Sequence, residues 1–317
     1  MTARRLFSLL LIFSLPLTAQ AGVSTDDLPG DLVWYMHADL VQMRSSDSGS
    51  PLYQWFDDEV IVEINDEVGI DLNEEIDSVT AFSTGDGGTV IIVEGPLTKE
   101  TQDKLLAIAT LEASASRRES DGNEYYYVKH KNSEEGEQNS EEGEHRKSND
   151  PLNDFNDAAY FSFSVANKAI ITSNEDQMQE LLKSGGKVTG SKSHAGSMFV
   201  LTADRSFVQA GLRPDGMADD DDDWESNILR NTEQAALLIS DSDGQIALEA
   251  QLVSTDAAMA ASIGSIVSGL ISLSAFNSDL GPEIQSMIRN TRVKIEENIL
   301  SVSTIIDPAL VVDVLDN

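Results

Sequence analysis

The sequence predicts an α+β protein in which antiparallel sheets carry helices packed mainly on one face, built as two related halves by internal duplication. Three observations point there. Strand-like runs come in pairs joined by tight Gly-containing turns, as in residues 78–83 and 89–94 around Gly85-Asp86-Gly87-Gly88. Segments with one apolar face at helical spacing separate those pairs. The order strand, helix, hairpin, helix, hairpin, helix then recurs in the second part of the chain.

In the first half, Val33-Trp34-Tyr35-Met36-His37-Ala38-Asp39 is rich in aromatic residues and holds no breaker, so it reads as a strand. A helix is expected next, with Leu52, Trp55, Phe56, Val60, Ile64 and Val68 on one face and Gly69 closing it. The hairpin 78–83/89–94 follows, and a further helix opens at Thr98 after Pro96. Tyr125-Tyr126-Tyr127 belongs to another strand. Residues 160–165 and 168–172 form a second hairpin, and the closing helix has Asn174 as N-cap, Gln177 completing a capping box and Gly185-Gly186 after its end.

The second half repeats the plan with a strand at 198–204, a helix around 224–229, and strands at 234–240 and 245–252 across Asp243-Gly244. A helix from Thr255, strands at 293–297 and 299–306, and a helix opened by Asp307-Pro308 complete it. Ala38-Asp39 is answered by Ala203-Asp204, and Trp55 by Trp224. The expected division is therefore 22–190 for the first half and 191–317 for the second. Residues 257–278 hold no charge, yet Ser262, Ser265, Ser268 and Ser272 draw a polar stripe opposite Met259, Ile263, Ile266, Val267, Leu270 and Ile271. That periodicity predicts a helix packed on a sheet, with no transmembrane span in the mature chain.

The N-terminus predicts export. Arg4 and Arg5 precede an apolar stretch from Leu6 to Leu17 too short to cross a bilayer, and Ala19-Gln20-Ala21 presents the small residues that signal peptidase cleaves after. Residues 1–21 are expected to be removed between Ala21 and Gly22, leaving a protein of the periplasm or the cell exterior. Such a protein meets no pool of ATP or NAD(P)H, and no cofactor is expected. Across 317 residues, 55 Asp and Glu oppose 21 Lys and Arg, for a formal charge of −34. That charge argues against nucleic acid as a partner, because phosphate is repelled by any surface not locally inverted. Absence of cysteine excludes disulfides, thiolate metal sites and a cysteine nucleophile.

Between Lys131 and Asp157 the periodicity vanishes, and Asn132-Ser133-Glu134-Glu135-Gly136-Glu137 is copied at Asn139-Ser140-Glu141-Glu142-Gly143-Glu144. With no apolar residue between Lys131 and Asp150 to offset ordering entropy, this stretch is expected to be a disordered acidic insert.

Candidate chemistry is sparse. His37, His130, His145 and His194 share no helical metal spacing. Ser184-Gly185-Gly186-Lys187 matches Ser-x-x-Lys but falls at a helix end without the companion motifs of the enzymes that use it. Asp215, Asp219, Asp221 and Asp223 are weak candidates for a divalent cation, since hard cations want several oxygens, but adjacent aspartates cannot all converge. On alternating strand positions, Tyr125, Tyr127, Phe161 and Phe163 are candidates for an aromatic binding surface.

Leu28-Pro29-Gly30, Ala38-Asp39-Leu40, Gly69-Ile70-Asp71-Leu72 and Ile76-Asp77-Ser78-Val79-Thr80 give the chain a diffuse likeness. With the matching second half, they resemble an uncharacterised class of exported bacterial proteins that begin after the signal with an LP turn and a strand ending in Ala-Asp-Leu. The resemblance implies no transferable activity. The expected function is non-enzymatic binding of a protein partner or apolar ligand in the cell envelope; the alternatives are a hydrolase whose site only the fold assembles, or an acidic cation-binding protein.

Overall fold

The computed structural model describes residues 32–62, 65, 73, 75–85, 88–111, 113–130, 155, 158–188, 196–211, 230–276 and 281–315. The export segment, nearly all of the acidic insert, the helix expected around Trp224 and the four aspartates of the cation candidate lie outside them. The fold is α+β with antiparallel strand pairing, as the hairpin pattern predicts. Its described residues fall into two compact units: residues 32–40 and 56–188 form one, and residues 41–55 and 196–315 the other.

The first unit contains β1 (Leu32–Asp39), β2 (Ser78–Thr84), β3 (Gly88–Glu94), α3 (Lys99–Leu111), β4 (Ala113–Ser120), β5 (Asn123–His130), β6 (Ala158–Ser162), β7 (Lys168–Thr172) and α4 (Glu175–Ser184). Helices α1 (Leu40–Ser45) and α2 (Gly49–Phe56) stand between β1 and a π-helical turn, Asp57–Ile61. The strand order is β1-β2-β3-β7-β6-β5-β4. Register carries one face across it, since Tyr35 pairs with Phe82, Phe82 with Val90, Val90 with Thr172, Thr172 with Tyr160 and Tyr160 with Tyr127. Along that face Tyr35, Phe82, Val90, Ile92 and Ile170 are buried, and α4 contributes buried Met178, Leu181 and Leu182.

The ends of α4 explain its length. Asn174 accepts a hydrogen bond from the Asp176 N–H at 2.8 Å, and at the other end Gly186 N–H reaches the Leu181 carbonyl at 2.7 Å with Gly185 at φ 69°. Gln177 does not complete the expected capping box: its Oε1, the atom that would accept from the N-cap N–H, is buried without a hydrogen-bond partner among the described residues, and its Nε2 donates to Thr84 Oγ1 at 3.0 Å. Helix α3 is capped from a distance: the Glu75 carboxylate accepts from Thr98 N–H at 2.8 Å and from Thr101 Oγ1 at 2.9 Å.

The second unit contains β8 (Ser197–Asp204), α5 (Arg205–Gly211), β9 (Thr232–Ser242), β10 (Gln245–Ser254), α6 (Ala257–Ser274), α7 (Pro282–Arg289), β11 (Arg292–Glu296), β12 (Ile299–Ile306) and α8 (Pro308–Leu315). Its strand order is β8-β9-β10-β12-β11. Leu237, Ile246, Leu248 and Ile306 form its core with Val311 of α8 and Leu52 of α2, and Met287 of α7 packs against them. Leu300 and Ile306 lie on the same side of β12, and Leu300 approaches Gly264 of α6, so α2, α6, α7 and α8 cover one face of this sheet.

The sequence reading keeps residues 41–55 with the first half and expects one helix carrying Leu52, Trp55, Phe56, Val60, Ile64 and Val68 on one face. Leu52, Trp55 and Phe56 lie in α2, which continues into the π-helical turn; α1 precedes it across a break at residues 46–48, and Val41–Trp55 groups with the second unit. The break has a local cause, because Ser46 Oγ accepts the Gly49 N–H at 3.0 Å and opens a new helix. The grouping follows from contacts. Leu52 enters the C-terminal core, Ser48 donates to the Asp241 carboxylate, and Gly49 lies so close to Met198 that a Cβ would stand 2.6 Å from its sulfur.

Candidate functional site

Tyr125, Tyr127, Phe161 and Phe163 do not form one surface. Tyr127 pairs with Tyr160, whereas Phe161 pairs with Tyr126, so alternation sends Tyr125 and Tyr127 to one face and Phe161 to the other. Phe163 lies just past the end of β6 and is half-buried. Tyr125 is 2% exposed, its hydroxyl donating to Glu175 Oε1 at 2.7 Å and accepting from Gln179 Nε2 at 3.3 Å. Arg118, opposite Tyr125, pairs with the same carboxylate oxygen at 2.5 Å and lies over the Tyr127 ring with its guanidinium carbon 4.4 Å from the centroid. A second set on the other face joins Arg117, Tyr126 and Glu124.

These clusters fasten the β4–β5 hairpin, and they set pKa values accordingly. The Arg118 hydrogen bond, then the Tyr125 hydroxyl, hold the Glu175 carboxyl below its ordinary range. Burial, followed by the Glu175 hydrogen bond, pushes the Tyr125 phenol up. A carboxylate with a depressed folded pKa contributes stability above its unfolded pKa, and that stability is lost as pH falls through the folded value. The thermal midpoint gap between wild type and Glu175→Gln should therefore be open at pH 7. It should close progressively below about pH 5, where carboxylates begin to protonate; thermal melts across pH 3–7 check this.

His37 is the histidine with a described side chain, and its Nδ1 lies 2.9 Å from Thr80 Oγ1. Burial lowers its pKa against the opposing effect of Asp39. Ser184 Oγ lies 3.0 Å from each of the Leu181 and Lys187 carbonyls, which share its single proton, so its hydroxyl serves the end of α4. Among the described residues no three His, Asp or Glu side chains gather as metal ligands.

The surface with unspent apolar area is on α6, a site that the sequence reading assigned to core packing. Ala260, Ile263 and Gly264 are buried against the sheet, and Met259, Val267 and Ile271 are half-buried beside them. The apolar arc is wider than the sheet covers. Ile266, Leu270 and Leu273, at steps of four and three, leave 41%, 37% and 71% of their surface exposed, and Phe276 just beyond the helix leaves 87%. Ala260, Ile263 and Gly264 are the buried residues among its 18, and by length and composition α6 is apolar enough to cross a membrane. The periodicity of serines misses this because it separates polar from apolar residues, not covered from uncovered ones.

The serines bear on what the helix can meet. Ser262, Ser265, Ser268 and Ser272 donate to the carbonyls of Ala258, Ala261, Gly264 and Ser268 at 2.9, 2.8, 2.7 and 2.7 Å. Each hydroxyl proton is thus satisfied one turn back within the helix.

No protein-family model matches the chain, and no curated protein matches it. Three crystal forms of the protein TP0453 are similar to it, each at 10% sequence identity. Form IV has a TM-score of 0.49 over 92% of this chain and 96% of that one, form III 0.45 over 93% and 99%, and form I 0.41 over 94% and 98%.

Proposed function

We propose that this chain is a non-enzymatic binding protein of the cell envelope that engages an apolar partner through the outer side of α6. The observation carrying the reading is the exposed stripe Ile266, Leu270, Leu273 with Phe276 beside it. A folded chain normally scatters its exposed apolar side chains singly, and a contiguous uncovered stripe marks a contact surface. Arg4-Arg5 and Ala19-Gln20-Ala21 support placing it in the periplasm or outside the cell. Its two units are read as copies of one motif: the orders β1-β2-β3-β7-β6 and β8-β9-β10-β12-β11 correspond strand for strand, with β4 and β5 added in the first.

Nile red, a neutral dye that brightens in apolar surroundings, tests the contact surface without presuming its natural occupant. Wild-type protein should enhance the dye's fluorescence, and Leu273→Ser/Phe276→Ser should remove most of the enhancement. Equal enhancement by both proteins would overturn the reading.

A further inference from the structure

We infer that the occupant of the α6 stripe is the surface of a bilayer whose headgroups carry no net charge, on which α6 lies with its axis in the interface. This rests on reading α6 as the contact surface and adds the identity of what it contacts. Three features select lipid. The stripe is made of aliphatic and aromatic side chains on a helix of 18 residues whose other side is held by the sheet, so it can enter the headgroup boundary while the fold stays intact. The four serine hydroxyls already donate to helix carbonyls, so moving that flank out of water strands no donor. A protein interface surrounds its apolar centre with a polar rim that exchanges donors and acceptors with the partner, and these serines can offer only acceptor lone pairs.

Charge selects the kind of lipid. Helix α6 contains no Asp, Glu, Lys or Arg, in a chain of formal charge −34. Interfacial helices that bind anionic membranes carry lysine and arginine on the polar side, and α6 has neither to draw an acidic protein toward negative headgroups. Attachment must come from apolar insertion alone, so it should tolerate salt and weaken as the membrane becomes negative.

Flotation with phosphatidylcholine vesicles tests this. Wild-type protein should float with the vesicles at both low and high salt, and replacing about a third of the lipid by phosphatidylglycerol at low salt should reduce the floated fraction. Leu273→Ser/Phe276→Ser should lower the partition about a hundredfold, from the apolar area of two large side chains. Val41→Ser removes an exposed apolar residue of α1 and should leave flotation unchanged. Circular dichroism and the thermal midpoint of each variant show that it is folded. If wild type brightens Nile red through the stripe but does not float, the lipid assignment falls and the contact-surface reading stands. Dimerisation that the double variant abolishes, without flotation, would assign the stripe to a second copy. If neither dye nor vesicle distinguishes the double variant, both readings fall.

Discussion

Leu52→Ala should destabilise the C-terminal unit by about 2–4 kcal/mol, the cost of removing a large aliphatic side chain from a core that only partly relaxes. Leu52 is 8% exposed and belongs to the cluster of Leu237, Ile246, Leu248, Ile306 and Val311, although it precedes Leu237 by most of the first unit's sequence. Native-state hydrogen exchange locates the effect. Protection should fall at the amides of β9, β10 and β12, while those of β2, β3 and β7 keep theirs. The reverse pattern would return residues 41–55 to the N-terminal unit.

Gly95→Ala should cost about 3 kcal/mol or more, combining an unfavourable backbone region with unavoidable overlap. Gly95 follows β3 at φ 157°, donates its N–H to the Asn167 carbonyl at 3.0 Å, and would place a Cβ 2.1 Å from the Glu75 carbonyl oxygen. The atom in the way is backbone, so no rotamer change relieves it. It belongs to the residue whose carboxylate caps α3, so the displacement should also loosen that helix. Gly122, at φ 81° between β4 and β5, has nothing within 4 Å of its Cβ position, and Gly122→Ala should lose only about 1 kcal/mol. Urea midpoints of the two variants measure the difference.

Hairpins and caps were legible because their signals are local. Asp243-Gly244 adopts φ values of 52° and 80°, and the strands on either side pair from Gln245↔Ser242 onward. Asn174 caps α4 as its position before Glu175 suggests. Strand β4 was missed because Ala113–Ser120 carries small and charged residues with no apolar alternation. Those are features of an edge strand, which here pairs with β5 along its length and carries Arg117 and Arg118 in ion pairs with Glu124 and Glu175. The site was legible only in part. The uncharged stretch 257–278 and its serine stripe stand out in sequence, but how much of an apolar arc a sheet covers depends on the axis of the packed helix. Gly264 sets that approach, since a Cβ there would meet Ile295 Cδ1 at 2.5 Å. The aromatic candidates failed to converge for a similar reason: alternation fixes faces within a strand, but register decides which residue of the next strand shares a face.

Because Val41–Trp55 belongs to the unit completed by residues after Ser193, the backbone passes from one unit to the other three times among the described residues. Cutting one peptide bond between Gly186 and Gly196 therefore makes two polypeptides without freeing two domains. The N-terminal polypeptide still inserts α2 into the core that β9, β10 and β12 build, and the nicked protein should elute as a single species until it is denatured. Separately produced 22–190 and 191–317 should in turn reconstitute one another on mixing, as complementing fragments, because the second lacks a wall of its own core that the first carries.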